Sequence, residues 1–170
     1  ELRRDMARKQ LVAEQIRQIE KSRLEQIKQA PKAAPNLMVL LLVRVIGIGI
    51  ETADMLVKEI LSRNLRDRRA VARYAGLTGS PDESGSSCRE KGLSRSGNAR
   101  VRRGMIQLAW RFLKFQNEST LAKWFETRTE NARGSRKKMI VALARKLLIA
   151  LWHFVRDGVL PQGVVLRPAH

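Results

Sequence analysis

Between Glu1 and Ala30 the chain holds neither glycine nor proline, and Leu2, Met6, Val12, Ile16, Ile19 and Ile27 recur at spacings that mostly share one side of a helix. This pattern predicts one long amphipathic, coiled-coil-like helix over 1–30. Lys9 and Arg23 interrupt the apolar stripe, so the repeat departs from a strict heptad, although pairing with a second copy into a homo-oligomer stays open. Ala30-Pro31-Lys32-Ala33-Ala34-Pro35-Asn36 then stops the helix, because proline lacks the amide donor and pushes the residue before it out of helical conformation. Residues 31–36 read as a linker.

From Leu37 the helical period returns, and no segment alternates β-branched and polar residues as a half-buried strand would. Helices are expected near 37–46, 51–62, 67–75, 98–116, 119–130 and 136–156, separated by glycine-rich or serine-rich breaks. The fold class is therefore mainly α: a long N-terminal helix followed by a compact helical domain over 37–158, with a long Ser/Gly-rich loop inside it. Residues 159–170 carry two prolines and no period, and are expected to be a flexible tail. In the fourth helix of that domain Val101, Met105, Leu108, Phe112 and Phe115 form an apolar face, and Arg100, Arg103, Gln107, Arg111 and Lys114 form a polar and basic one. In the last, Ile140, Leu143, Leu147, Leu151 and Phe154 point inward. Trp110, Trp124 and Trp152 read as core residues, and His153 as a packed or boundary residue.

Charge adds a partner to this outline. The 170 residues include 34 Lys+Arg against 16 Asp+Glu, a net charge of +18, which attracts polyanions: nucleic acid first, an anionic membrane second. A hydrophobic content of 44% is enough for a core. Cys88 alone gives no disulfide framework or cysteine zinc site, and His153 with His170 leave little for a metal centre, so no cofactor is expected in this chain. The apolar runs Leu37 to Val43 and Leu147 to Trp152 are far shorter than the roughly 20 residues of a membrane-spanning helix. No membrane partner and a bacterial cytoplasmic, nucleoid-associated location are the resulting expectations. A start at Glu1, already inside a helical pattern, suggests a piece of a longer protein.

Three constellations could carry chemistry. Arg44-Val45-Ile46-Gly47-Ile48-Gly49-Ile50-Glu51-Thr52-Ala53 looks like a helix-hairpin-helix element, in which Gly47 and Gly49 would expose backbone amides to a nucleic-acid phosphate; a plain helical hairpin is the alternative. The stretch from Gly76 to Asn98 is long for a loop in a compact domain, and holds Ser80, Ser84, Ser86, Ser87, Ser94 and Ser96 among glycines and arginines, as a nucleophile's surroundings would. A flexible linker is the alternative there. Third, the segment from Cys88 to Phe115 has eight Lys or Arg and one acid, Glu90. From charge and position, Arg89, Lys91, Arg95, Asn98, Arg100 and Arg103 are the candidate phosphate contacts.

Taken in order, the charged helix, the Gly-Ile-Gly turn followed by Thr52-Ala53, Tyr74-Ala75-Gly76-Leu77, Ser84-Gly85, Lys91-Gly92-Leu93-Ser94, Gly97-Asn98, Arg102-Arg103 and Ala144-Arg145-Lys146-Leu147-Leu148 resemble the C-terminal part of the pilin-invertase-like transposases of bacterial insertion sequences. The resemblance implies a DNA-binding transposase domain in which Ser84, of the Ser-Gly element, is the catalytic nucleophile of strand cleavage and rejoining. It implies further that a RuvC-like domain with four acidic residues, absent from this chain, holds Mg²⁺, and that a guide (bridge) RNA accompanies the DNA. On this reading the chain alone lacks recombinase activity. A non-catalytic helix-hairpin-helix binding module and an inactive transposase remnant are the competing readings.

Overall fold

The computed structural model describes residues 1–29, 33–84, 87–93, 96–130 and 136–168, and over 80–93 it describes the backbone. Among these residues the chain order is α1 (Leu2–Gln29), α2 (Ala34–Val43), α3 (Ile50–Leu56), α4 (Arg68–Tyr74), the strands β1 (Gly79–Ser84) and β2 (Ser87–Leu93), then α5 (Ala99–Phe115), α6 (Thr120–Thr129) and α7 (Arg136–Asp157). The helices fall where the sequence period puts them, and the fold is mainly α with a long N-terminal helix.

Their ends have local causes. Helix α2 starts at Ala34, earlier than expected, because Pro35 occupies the first turn, where its missing amide would have no helical partner and its fixed φ already suits the helix. Past Leu56, α3 widens into a π-helical turn, Val57–Leu61. Asp67, Asn98 and Ser119 cap α4, α5 and α6 by accepting hydrogen bonds from first-turn amides.

The core centres on the seam where α5 meets α7. Val101, Met105, Leu108, Ala109 and Phe112 of α5 are buried, as are Ile140, Leu143, Ala144, Leu147, Leu148 and Leu151 of α7, in one apolar cluster. Two inward assignments fail: Phe115 is 47% exposed and Trp110 43% exposed. Phe115 sits at the end of α5, where it covers the turn after α2 instead of entering the seam. Trp110 stands edge-on to Phe125 with the Arg136 guanidinium over its ring. His153 is a boundary residue, its Nδ1 2.8 Å from Asp157 Oδ2.

Helix α1 joins the core only through its last turns, where Ile27 is buried and Leu24 packs against it. Arg23 bonds Glu51 and lies 3.6 Å from Asp54, tying α1 to α3. Leu2, Met6, Val12, Ile16 and Ile19 are exposed, so most of the expected stripe meets nothing within the chain.

The segment read as a flexible tail is docked. Gln116, buried where α5 ends, donates from Nε2 to the carbonyls of Ile46 (2.8 Å) and Val165 (2.9 Å), and accepts at Oε1 from the Val165 amide (2.8 Å). Val45 pairs with Leu166 in a single antiparallel bridge, and Val164 is buried. The alternation of buried Val164, exposed Val165 and half-buried Leu166 is strand-like but too short to read as a period.

Gln116→Ala would leave the Ile46 carbonyl and the Val165 amide without this partner, and the Val165 carbonyl with the Ile46 amide as its remaining donor. It should lower stability by about 2–4 kcal/mol in urea unfolding and speed hydrogen exchange at Val165 and Ile46. Unchanged exchange at both amides would mean that the clamp does not hold the tail.

Candidate nucleic-acid interface

The long segment between α4 and α5 leaves and re-enters the domain through a closed neck. The Asn98 amide donates to Tyr74 O at 2.7 Å, the Gly76 amide to Arg73 O at 2.9 Å and the Leu77 amide to Ala72 O at 3.0 Å. Gly76 (φ +63°) and Gly97 (φ +92°) lie against each other there. A Cβ on Gly97 would stand 2.6 Å from the Gly76 nitrogen and 2.8 Å from Arg73 O, so backbone meets backbone with no room for a side chain.

Beyond the neck the chain is paired, which corrects the reading of this stretch as a long loop or flexible linker. β1 and β2 run antiparallel from Gly79↔Leu93 to Ser84↔Ser87, with an irregularity after Gly79. Ser84 is the last paired residue of β1. At roughly 3.3 Å per residue its backbone stands about 16 Å from the hairpin foot at Gly79. Arg89 pairs with Asp82 and Lys91 with Ser80 across the ladder. The side chains of Ser84, Arg89 and Lys91, and all of Arg95, lie outside the described residues.

The remaining candidates divide. Asn98 is a helix cap: its Oδ1 accepts from the amides of Arg100 (3.0 Å) and Val101 (3.2 Å), and its Nδ2 donates to Glu59 Oε2 (2.9 Å). Its amide group is therefore engaged within the fold. The signal for that role was present, since an Asn just before an apolar helical period marks a helix start. Arg100 donates to Glu59 Oε1 at 3.1 Å, yet its side chain stays 72% exposed. Arg103, Gln107 and Arg111 are exposed along α5 and, with Thr52 and Met55 of α3, line a groove of about 390 Å³.

The Gly47–Gly49 turn is packed. Gly47 is buried at φ +97°, and a Cβ there would meet Phe115 Cβ at 3.3 Å, while the neighbouring Ile46 amide donates to Val165 O of the docked tail. Its positive φ thus serves a tight turn closed by α5 and the tail. Gly49 is half-buried at the start of α3; the Arg111 guanidinium and the Glu20 carboxylate each come within 4.0 Å of where a Cβ would be.

Nearby acids are neutralised from within. Besides the Arg23 contacts, Lys58 pairs with Asp54 at 2.9 Å, and Arg100 occupies Glu59. Helix α5 contains no acid, and while Arg100 is paired with Glu59, Arg103 and Arg111 make no ion pair among the described residues. The Ala70 amide, bonded to the Asp67 cap, holds that carboxyl below its usual range. The capping stability is thus fully present above the ordinary carboxylate pKa and lost as pH falls through the lowered one. Among the described residues no three His, Cys, Asp or Glu side chains gather as metal ligands, and no helix is long and apolar enough to cross a membrane.

Residues 40–124, half of the chain, match the model of the transposase IS116/IS110/IS902 family. The chain is also 40% identical over 176 residues to the protein of Sinorhizobium fredii (strain NBRC 101917 / NGR234) named "Putative transposase y4rJ". That alignment takes in 96% of this chain and 43% of the relative, so the chain spans less than half the relative's length.

Gly97→Ala should cost about 2 kcal/mol or more, from the positive φ and the backbone collision, and should open the neck. Urea unfolding measures the first effect and hydrogen exchange at Asn98 and Leu77 the second. A substitution without effect on either would show that the neck accommodates a side chain and is not closed by backbone contact at Gly97.

Proposed function

The chain belongs to the IS116/IS110/IS902 family of transposases, and we propose that it is the part of such an enzyme that grips DNA and supplies Ser84 as the nucleophile of strand cleavage and rejoining. What carries the reading is the mounting of Ser84: the last paired position of a hairpin whose neck is pinched by Gly76 and Gly97 and which leads directly into a basic helix. A serine on a free linker would lose orientation with every fluctuation, whereas a paired stalk with a closed base limits the approach to few geometries.

The chemistry exchanges one phosphodiester for another. The Ser84 hydroxyl attacks phosphorus, a P–O bond to a deoxyribose oxygen breaks, and the phosphate stays esterified to the serine. The leaving sugar oxygen takes up a proton as the serine gives one up. Attack of a sugar hydroxyl on the serine ester reverses the exchange and rejoins the strand. Arg103 and Arg111, with the outer part of Arg100, hold the DNA backbone along the α5 groove, and Arg89, Lys91 and Arg95 accompany the hairpin. The Mg²⁺ implied by the family resemblance would be held by carboxylates outside this chain. A guide RNA would bring a second phosphate backbone to the same positive field, and the exposed stripe of α1 would pair with that of another copy, joining two hairpins in one assembly.

Recombination by the complete transposase tests the assignment. Ser84→Ala should abolish it, while Ser86→Ala and Ser87→Ala should leave it within about threefold of the parent. Recombination unaltered by Ser84→Ala, in a protein whose DNA affinity falls on replacing Arg103 and Arg111, would instead make the chain a binding module.

A further inference from the structure

A second group of cations lies away from the α5 groove. Arg68, Arg69 and Arg73 of α4 and Arg145 of α7 surround a cavity of about 500 Å³ that reaches Thr78 and Gly79, the foot of β1. Among the described residues no acidic one lines it. Among the described residues none of the four guanidiniums makes an ion pair or a side-chain hydrogen bond, in contrast to Arg23, Lys58 and Arg100, which neutralise Glu51, Asp54 and Glu59. Arg69 and Arg73 are four residues apart on one short helix, a spacing at which like charges repel. Among the described residues no acid pairs with either guanidinium to relieve this repulsion, which suits a site whose counter-charge comes from a ligand.

Guanidinium groups present paired donors that match two oxygens of a phosphate, and four of them around one concavity exceed what a solvated surface requires. We propose that this cavity is a phosphate-binding site for the backbone of duplex DNA, gripping the strand beside the foot of the hairpin. The inference rests on the proposed DNA-binding function and adds a contact separate from the α5 groove. The span of about 16 Å from Gly79 to Ser84 corresponds to roughly five base pairs of duplex rise. One DNA segment can therefore reach the arginine cavity and the hairpin tip together, so the cavity anchors the duplex while the tip meets the phosphate to be cut.

The test compares the chain with its Arg69→Gln/Arg145→Gln variant in fluorescence-anisotropy titrations between 50 and 300 mM salt, using a 30-base-pair DNA duplex and an RNA stem-loop with as many phosphates. The proposal expects the variant's DNA affinity to fall about tenfold at 100 mM salt and its salt slope to drop by about one to two. Its melting temperature should not fall, since removing two like charges relieves repulsion. Arg68→Gln/Arg69→Gln, which alters two exposed side chains, gives a second measurement should the first variant fold poorly. An unchanged DNA slope in a folded variant overturns the cavity and leaves the proposed function standing. A loss confined to the RNA probe also overturns it as a DNA site. Failure of the unaltered chain to bind the duplex overturns both.

Discussion

Helix α5 is held along one face and at both ends, and the candidate site is hung from those three attachments. Its apolar face is sealed against α7, where truncating a buried Leu or Phe costs on the order of 2–5 kcal/mol. At its start, Asn98 caps the helix, bonds Glu59 and ties the hairpin neck to Tyr74. At its end, the buried carboxamide of Gln116 collects the turn after α2 and the C-terminal strand. Because the seam fixes the rotation of α5, it also fixes which side chains face outward, and these include Arg100, Arg103, Gln107 and Arg111. Packing and charge are thus two faces of one helical period.

The distribution of acids sharpens that division. Glu51, Asp54 and Glu59 lie toward the groove side of the fold, but each is taken by a cation from another element or another turn. These pairs are partly exposed and contribute little stability singly. Their larger effect is on the field: they prevent the acids from neutralising the arginines that remain outside. A net charge of +18 would be a diffuse attraction if evenly spread. Here two groups of cations without an ion pair among the described residues are gathered, Arg103 and Arg111 on the α5 groove and Arg68, Arg69, Arg73 and Arg145 around the α4–α7 cavity at the hairpin foot.

Much of the fold was legible because its longer helices are periodic, and because residues at their boundaries, Pro35 in the first turn of α2, Gly47 after α2 and Gly97 before α5, act locally. The hairpin was not: Ser80, Pro81, Asp82 and Glu83 give none of the β-branched alternation that marks a buried strand, and the pairing is visible only in the fold. The docked tail escaped for a different reason, since its partners Val45, Ile46 and Gln116 are remote in sequence. For the site, the exposed basic face of α5 was readable from its period, while Asn98, grouped with phosphate ligands by its neighbours, is engaged in capping. Gly47 was read correctly as a turn residue, but Phe115 and the tail that cover it could not be foreseen. The arginines of α4 meet Arg145 only through tertiary packing.

In the proposed reaction the paired hairpin delivers Ser84 to a DNA phosphate. Trapping the complete transposase on a nicked DNA substrate that cannot rejoin, digesting the adduct and sequencing the modified peptide by tandem mass spectrometry tests it most directly. The account predicts a nucleotide remnant esterified to Ser84. A remnant on another residue, or no covalent protein–DNA species while strands are still cut, would contradict it.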